Sequence, residues 1–143
     1  MEMDKIWDYT KYFIMTLGTG LTWLYGAWDK ALIVLITFMV IDYITGIAKG
    51  WYNGELSSDI GLKGLARKFL ILLIVMVTVL LDRLLNTGTW VFRTLACYFY
   101  IANEGLSILE NIISMGVPVP DKLKDTLIQL KDGEKKEIRK QQE

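Results

Sequence analysis

Residues 31–48 read ALIVLITFMVIDYITGIA, eighteen positions with one charge, Asp42. A helix rises about 1.5 Å per residue, so about 20 such positions cross ~30 Å of hydrocarbon. The run extends to a span over 31–50 and decides the fold class, because three more stretches of the same kind surround it. Residues 12–28 carry no charge, and neither do residues 69–81. Residues 94–117 carry only Glu104 and Glu110. By contrast, residues 121–143 hold seven Lys/Arg and six Asp/Glu. The pattern predicts an all-α integral membrane protein with three to four transmembrane helices and a short charged cytoplasmic tail. The membrane domain covers 1–120, with spans at about 9–28, 31–50, 64–85 and 91–115. The tail covers 121–143.

Each boundary has a physical basis. The charge-free part of the third segment is too short alone, so Arg67 and Lys68 are expected to snorkel outward at its start. Asp82 and Arg83 then close its far end. Gly116 and the VPVP stretch at 117–120 stop the fourth segment, because proline cannot continue a helix. Asn53–Gly54 has turn chemistry, and Ser57–Asp59 supplies a candidate N-cap ahead of the third segment. The N-terminal segment reads as a retained span rather than a cleaved signal, since three acids precede it and no small-x-small site follows. An amphipathic helix lying in the interface is the open alternative. In the tail, Leu123, Leu127 and Leu130 recur at helical spacing among lysines, as in a short helix on the membrane surface or against the bundle.

Charge asymmetry orients the chain. With four spans, thirteen of the 16 Lys/Arg fall on one side and three (Lys30, Arg83 and Arg93) on the other. Both termini are therefore expected in the cytoplasm. Trp7 and Trp51 fall at expected inner ends, and Trp23, Trp28 and Trp90 at outer ends, the depth an amphipathic indole prefers.

Composition also excludes functions. Net charge is zero, which argues against nucleic acid as a partner. There is no His, so the commonest general base and zinc ligand are missing. The single Cys, Cys97, fits a packing residue on an apolar helix. No catalytic residue, metal site or cofactor is expected; the partners are membrane lipid and further copies of the chain.

Intramembrane polar groups are costly and need a reason. Asp42 lies mid-span, with Gly46 one turn on and Lys49 on the same face; Gly46 and Gly50 form a small-xxx-small pair in GIAKG. Asp42 serves either a functional helix contact or a local pair with Lys49 or a nearby Arg. On the fourth segment Asn103, Glu104, Ser107, Glu110, Asn111 and Ser114 share an arc of about 120°, extended by Arg93, Ala96 and Tyr100. Leu95, Phe99, Leu106, Leu109, Ile112 and Ile113 lie opposite. Such a stripe must face water, partner helices or the interface, either as a seam inside a bundle or as the lining of an aqueous hole.

The stretch DYITGIAKGWYNGELSSDIGLKGLARK, then LLDRLL, then FYIANEGLSILENIISMGVPVPDKLKDTLIQLK resembles the toxin-secretion/phage-lysis holin family of Gram-positive phages. The resemblance covers roughly residues 30–131. It implies a non-enzymatic, pore-forming homo-oligomer of the bacterial cytoplasmic membrane. Its lesions release an endolysin or a toxin and bring about host cell lysis. The pore or assembly candidates are then Asp42, Gly46, Gly50, Asn103, Glu104, Ser107, Glu110 and Asn111. The alternatives are an antiholin of the same fold, which is also a candidate partner, and a small ion channel or transporter subunit.

Overall fold

A computed structural model describes residues 2–129. Four long helices follow in order: α1 (Glu2–Tyr25), α2 (Lys30–Tyr52), α3 (Ser58–Leu84) and α4 (Val91–Ser114). A further helical stretch occupies 121–129. No strand occurs among the described residues. The protein is all-helical, and α2 and α3 are each long and apolar enough to cross a membrane.

Local chemistry sets the helix ends. Asp29 caps α2, its carboxylate accepting from Leu32 N at 3.0 Å. Gly54 closes the following turn at φ +70°, a left-handed conformation that glycine adopts without steric cost. Ser57 caps α3 by accepting from Ile60 N. Gly116, at φ +83°, ends α4 with Val117 N returning to Ile112 O. The N-terminus of α4 is capped from another helix: Asp82, on the last turns of α3, accepts from Phe92 N at 3.1 Å and from Arg93 N at 2.9 Å.

α4 is the central helix and packs against both α2 and α3. α2 and α4 run in the same direction. Tyr25, Ala27 and Asp29 meet Arg93 at one end, and Asp42 meets Asn111 toward the other. α3 runs against both, since Asp82 meets Arg93 and Lys68 meets Glu104. The core is Leu32, Leu35 and Met39 of α2, Ile71 and Val75 of α3, and Cys97 and Ile101 of α4. These positions recur three or four residues apart, one stripe per helix. The outer faces are as apolar as the core: Ile33, Val40, Ile41 and Ile44 on α2, and Phe69, Leu70, Ile74 and Val77 on α3, are all exposed. A surface of that size and kind matches hydrocarbon.

On the face of α4 opposite the polar stripe, Leu109 is buried while Ile113 is exposed. A central helix is packed on more than one side, so a single apolar arc does not describe it. α1 differs from the other helices in having no buried residue. Near its C-terminal end it meets α3, where Arg83 donates to Trp23 O and lies over the Trp23 ring at 4.5 Å.

The 121–129 helix folds back on α4. Leu127 and Phe38 close over Gly105, where a Cβ would lie 2.9 Å from Leu127 Cδ1 and 3.2 Å from Phe38 Cε2. Leu130 and residues 131–143 lie outside the described residues. Gly105→Ala is expected to be tolerated by a small shift of Leu127, whereas Gly105→Leu should displace the 121–129 helix. Amide exchange in detergent checks this: 121–129 should lose protection in Gly105→Leu while α2 and α3 keep theirs.

Candidate functional site: a buried charge cluster between three helices

Lys68 turns inward. Its ammonium bonds Asp42 Oδ2 at 2.6 Å and also Glu104 Oε2. Its side chain is only 10% exposed, and those of Asp42 and Glu104 are 16% and 6%. The expectation that Lys68 snorkels outward is therefore overturned. The reason is its phase on α3: Lys68, Ile71, Val75, Val79 and Asp82 form one buried stripe. Arg67, one residue and about 100° away, points outward and is exposed. The run at 69–81 is apolar on every face, so spacing in the sequence does not single out Lys68 from Arg67.

Asp42 is likewise paired across helices, not with Lys49. Its second oxygen accepts from Asn111 Nδ2 at 3.2 Å, and Asn111 Nδ2 also lies 3.2 Å from Thr45 Oγ1. Burying charges costs several kcal/mol per ion unless each is paired and its remaining donors or acceptors are satisfied. One ammonium between two carboxylates, with an amide on the far side, meets that condition. As ionised groups the three charges sum to −1.

The α4 stripe divides. Glu104 and Asn111 are buried in the cluster. Asn103, Ser107 and the exposed Glu110 instead line a cleft of about 480 Å³ together with Arg67, Asp42 and Glu104. Ser107 and Asn111 also line a cleft of about 380 Å³ between α2 and α3. Gly46 faces Asn111, whose Nδ2 lies 3.7 Å from the place of a Cβ. Gly50 meets Leu56 of the following loop rather than a helix, so the two glycines do not form one helix contact. Polar clefts thus reach the cluster from the end carrying Lys49 and Arg67. On its other side lies the apolar core.

A second polar cluster lies at the tryptophan end, where no local pattern in the sequence announces it. Arg93 is fully buried. It donates to Tyr25 O and Ala27 O, and pairs with Asp29 at 2.7 Å. It thereby ties the α1–α2 turn to α4. The Arg93 hydrogen bonds hold the Asp29 carboxyl below its ordinary value of 3.8. A depressed carboxylate contributes stability that is full above its unfolded pKa and lost as pH falls through the lower folded value. Asp29→Asn should therefore lower bundle stability by a constant amount between about pH 8 and 5, and the gap should close below about pH 4. Asp29 is 41% exposed, so the effect is modest. Melting curves in detergent across that range check it.

Among the described residues no group of His, Cys, Asp and Glu could hold a metal. The Cys97 thiol is buried in the core.

Residues 19–132 match the bacteriophage holin family. The chain belongs to that family. The matched interval contains every residue of both charge clusters and leaves out most of α1. A 14.9 kDa protein of the nagH 3′ region of Clostridium perfringens is 56% identical over 128 residues, covering 90% of this chain and 97% of the relative. The protein Lmo0128 of Listeria monocytogenes is 40% identical over 129 residues, covering 89% and 91%. A probable holin of Bacillus phage phi105 is 40% identical over 99 residues, covering 68% and 72%. No solved structure matches. Family and exposed apolar helices agree on a membrane protein of phage lysis, and the holin family is not an enzyme family.

Proposed function

We propose that this holin accumulates in the bacterial cytoplasmic membrane, associates with copies of itself and opens lesions. Through them an endolysin or a toxin leaves the cytoplasm. In this reading four helices span and both termini are cytoplasmic, following the thirteen-to-three division of Lys/Arg.

The observation that carries the reading is the split polar face of α4. In the single chain, Lys68 satisfies Asp42 and Glu104, so the bundle is compatible with hydrocarbon and persists. Asn103, Ser107 and Glu110 line an open cleft and are not similarly enclosed. Association gives these groups a common aqueous space, and each added subunit hydrates polar side chains that lipid leaves unsatisfied. Asp42, Glu104 and Asn111 act as the latch, and Asn103, Ser107 and Glu110 as the face that becomes wet. Gly46 and Gly50 stand on the α2 wall of the neighbouring cleft, which shares Asp42 and Ser107 with this one.

Inducible expression in a bacterium, with and without a co-expressed soluble muralytic enzyme, tests the reading. Growth arrest is expected alone and lysis with the enzyme. Depolarisation without release of cytoplasmic protein would instead indicate a small channel, and suppression of another holin's lysis an antiholin. Cysteine labelling tests the face itself in a Cys97→Ala background. A membrane-impermeant thiol reagent should reach Ser107→Cys only after triggering, while Leu109→Cys stays protected. Equal labelling of the two positions at all times would sink the role given to the stripe.

A further inference from the structure

The cleft between α2 and α3 at the end bearing Lys49 and Arg67 holds two cations with no assigned task. Its volume is about 380 Å³, and Lys49, Arg67, Lys68 and Ser107 are among its lining residues. It is open because glycines stand on both walls: Gly46 and Gly50 on α2, Gly61 and Gly64 on α3. At Gly61 and Gly64 the nearest neighbour is the Tyr43 ring or its hydroxyl, no closer than 3.6 Å to the place of a Cβ.

Lys68 is committed to Asp42 and Glu104. Lys49 and Arg67 are not committed: among the described residues neither has a carboxylate within ion-pair distance. Glu55 also lines the cleft but pairs with neither. Lys49 lies in the last turn of α2, and Arg67 lies two residues before the charge-free run at 69–81. Lys49 thus stands where the apolar surface of α2 stops, and Arg67 lies deeper along α3, beside the Lys68 that meets Asp42. The rim is apolar, with Ile47, Leu56 and Ile60 all exposed.

We propose that this cleft binds the anionic headgroup of a membrane phospholipid. Its phosphate lies between Lys49 and Arg67, within reach of the Ser107 hydroxyl, and its acyl chains run from there over the exposed Ile47 and Ile44 of α2 toward the middle of the bilayer. Cationic pockets between membrane helices at the headgroup level suit this ligand: they supply point charges and guanidinium donors where phosphates already lie. A free inorganic phosphate would use the same two cations but gain nothing from the apolar rim. The proposal rests on the membrane placement of α2 and α3 and is independent of lesion formation.

The test uses the full chain, reconstituted in nanodiscs of phosphatidylcholine with an equal share of phosphatidylglycerol. Native mass spectrometry reads the lipid retained on release. Phosphatidylglycerol should be retained over phosphatidylcholine by roughly tenfold or more, as two cations at the membrane surface provide. Lys49→Gln with Arg67→Gln should bring that preference to within about twofold. Lys49→Arg with Arg67→Lys should keep it, as should Lys5→Gln with Lys11→Gln on α1. Gly61→Leu retains both cations but fills the cleft, and should also lose the preference; it serves as the second variant if the charge-removed protein does not fold. Addition of millimolar inorganic phosphate should leave the retained lipid in place. Equal retention of the two lipids by the unaltered chain overturns the proposal. So does a preference that survives both Lys49→Gln/Arg67→Gln and Gly61→Leu, or displacement of the lipid by inorganic phosphate.

Discussion

Replacing Lys68 by Leu should destabilise the folded bundle by about 3–5 kcal/mol, the cost of removing one partner from a buried ion pair. The substitution keeps the size and apolar character of the stem. It strands two carboxylates, Asp42 and Glu104, whose side chains are 16% and 6% exposed. Repulsion between them adds to the loss. The check is unfolding in a detergent series, followed by helical circular dichroism. The companion variant Lys68→Leu/Asp42→Asn/Glu104→Gln removes the charges together. It should recover most of the lost stability, because neutral partners of the same shape carry a far smaller desolvation cost. In cells, Lys68→Leu should either fail to accumulate or arrest growth early, since the latch that keeps the single chain compatible with hydrocarbon is gone. A late-acting, fully stable Lys68→Leu protein would refute the latch.

Arg93→Gln should cost about 3 kcal/mol and loosen the join between α1 and the other helices. The guanidinium holds two main-chain carbonyls, Tyr25 O and Ala27 O, together with the Asp29 carboxylate. Glutamine supplies two donors at shorter reach and no charge. α1 has no buried residue, and the Arg93 bonds to Tyr25 O and Ala27 O hold its C-terminal end, so the turn at 26–29 contributes to its attachment. The loss should therefore be local. Amides of residues 26–32 should exchange faster, and the distance from a spin label on α1 to one on α3 should broaden. α2–α4 packing should persist through the core stripes. Uniform loss of protection across α2, α3 and α4 would place Arg93 in the global core rather than at the joint. Arg93→Lys tests geometry against charge: a point charge keeps Asp29 but not both carbonyls, so a partial effect is expected.

Helix positions were legible because they depend on local rules. Charge-free runs, the Asn53–Gly54 turn, the Ser57 cap and the Gly116 stop each act within one turn of chain, and the described helices begin and end at or near them. Asp42, Glu104 and Asn111 stood out for a similarly simple reason, since a polar group in an apolar run needs a partner. The choice of partner was not local. Arg67 and Lys68 are adjacent cations, and the rotation of α3 about its axis decides which turns inward. That rotation buries Ile71, Val75 and Val79, with Ile71 and Val75 in the core shared with α2 and α4. The cap that Asp82 gives α4 spans two helices and leaves no trace in the sequence near Trp90, where an N-cap residue would normally be sought.

By itself the sequence determined a membrane-type helical chain without histidine chemistry, its turns and its expensive polar positions, because hydropathy and capping are properties of neighbouring residues. Only the tertiary structure decided that Lys68 joins Asp42 and Glu104, that Arg93 fastens the α1–α2 turn, and that Glu110 is exposed while Glu104 is buried. Those outcomes depend on the rotation and depth of each helix against the next. Contacts between residues tens of positions apart select both, and the free energy of a buried charge is settled by what lies across the helix interface.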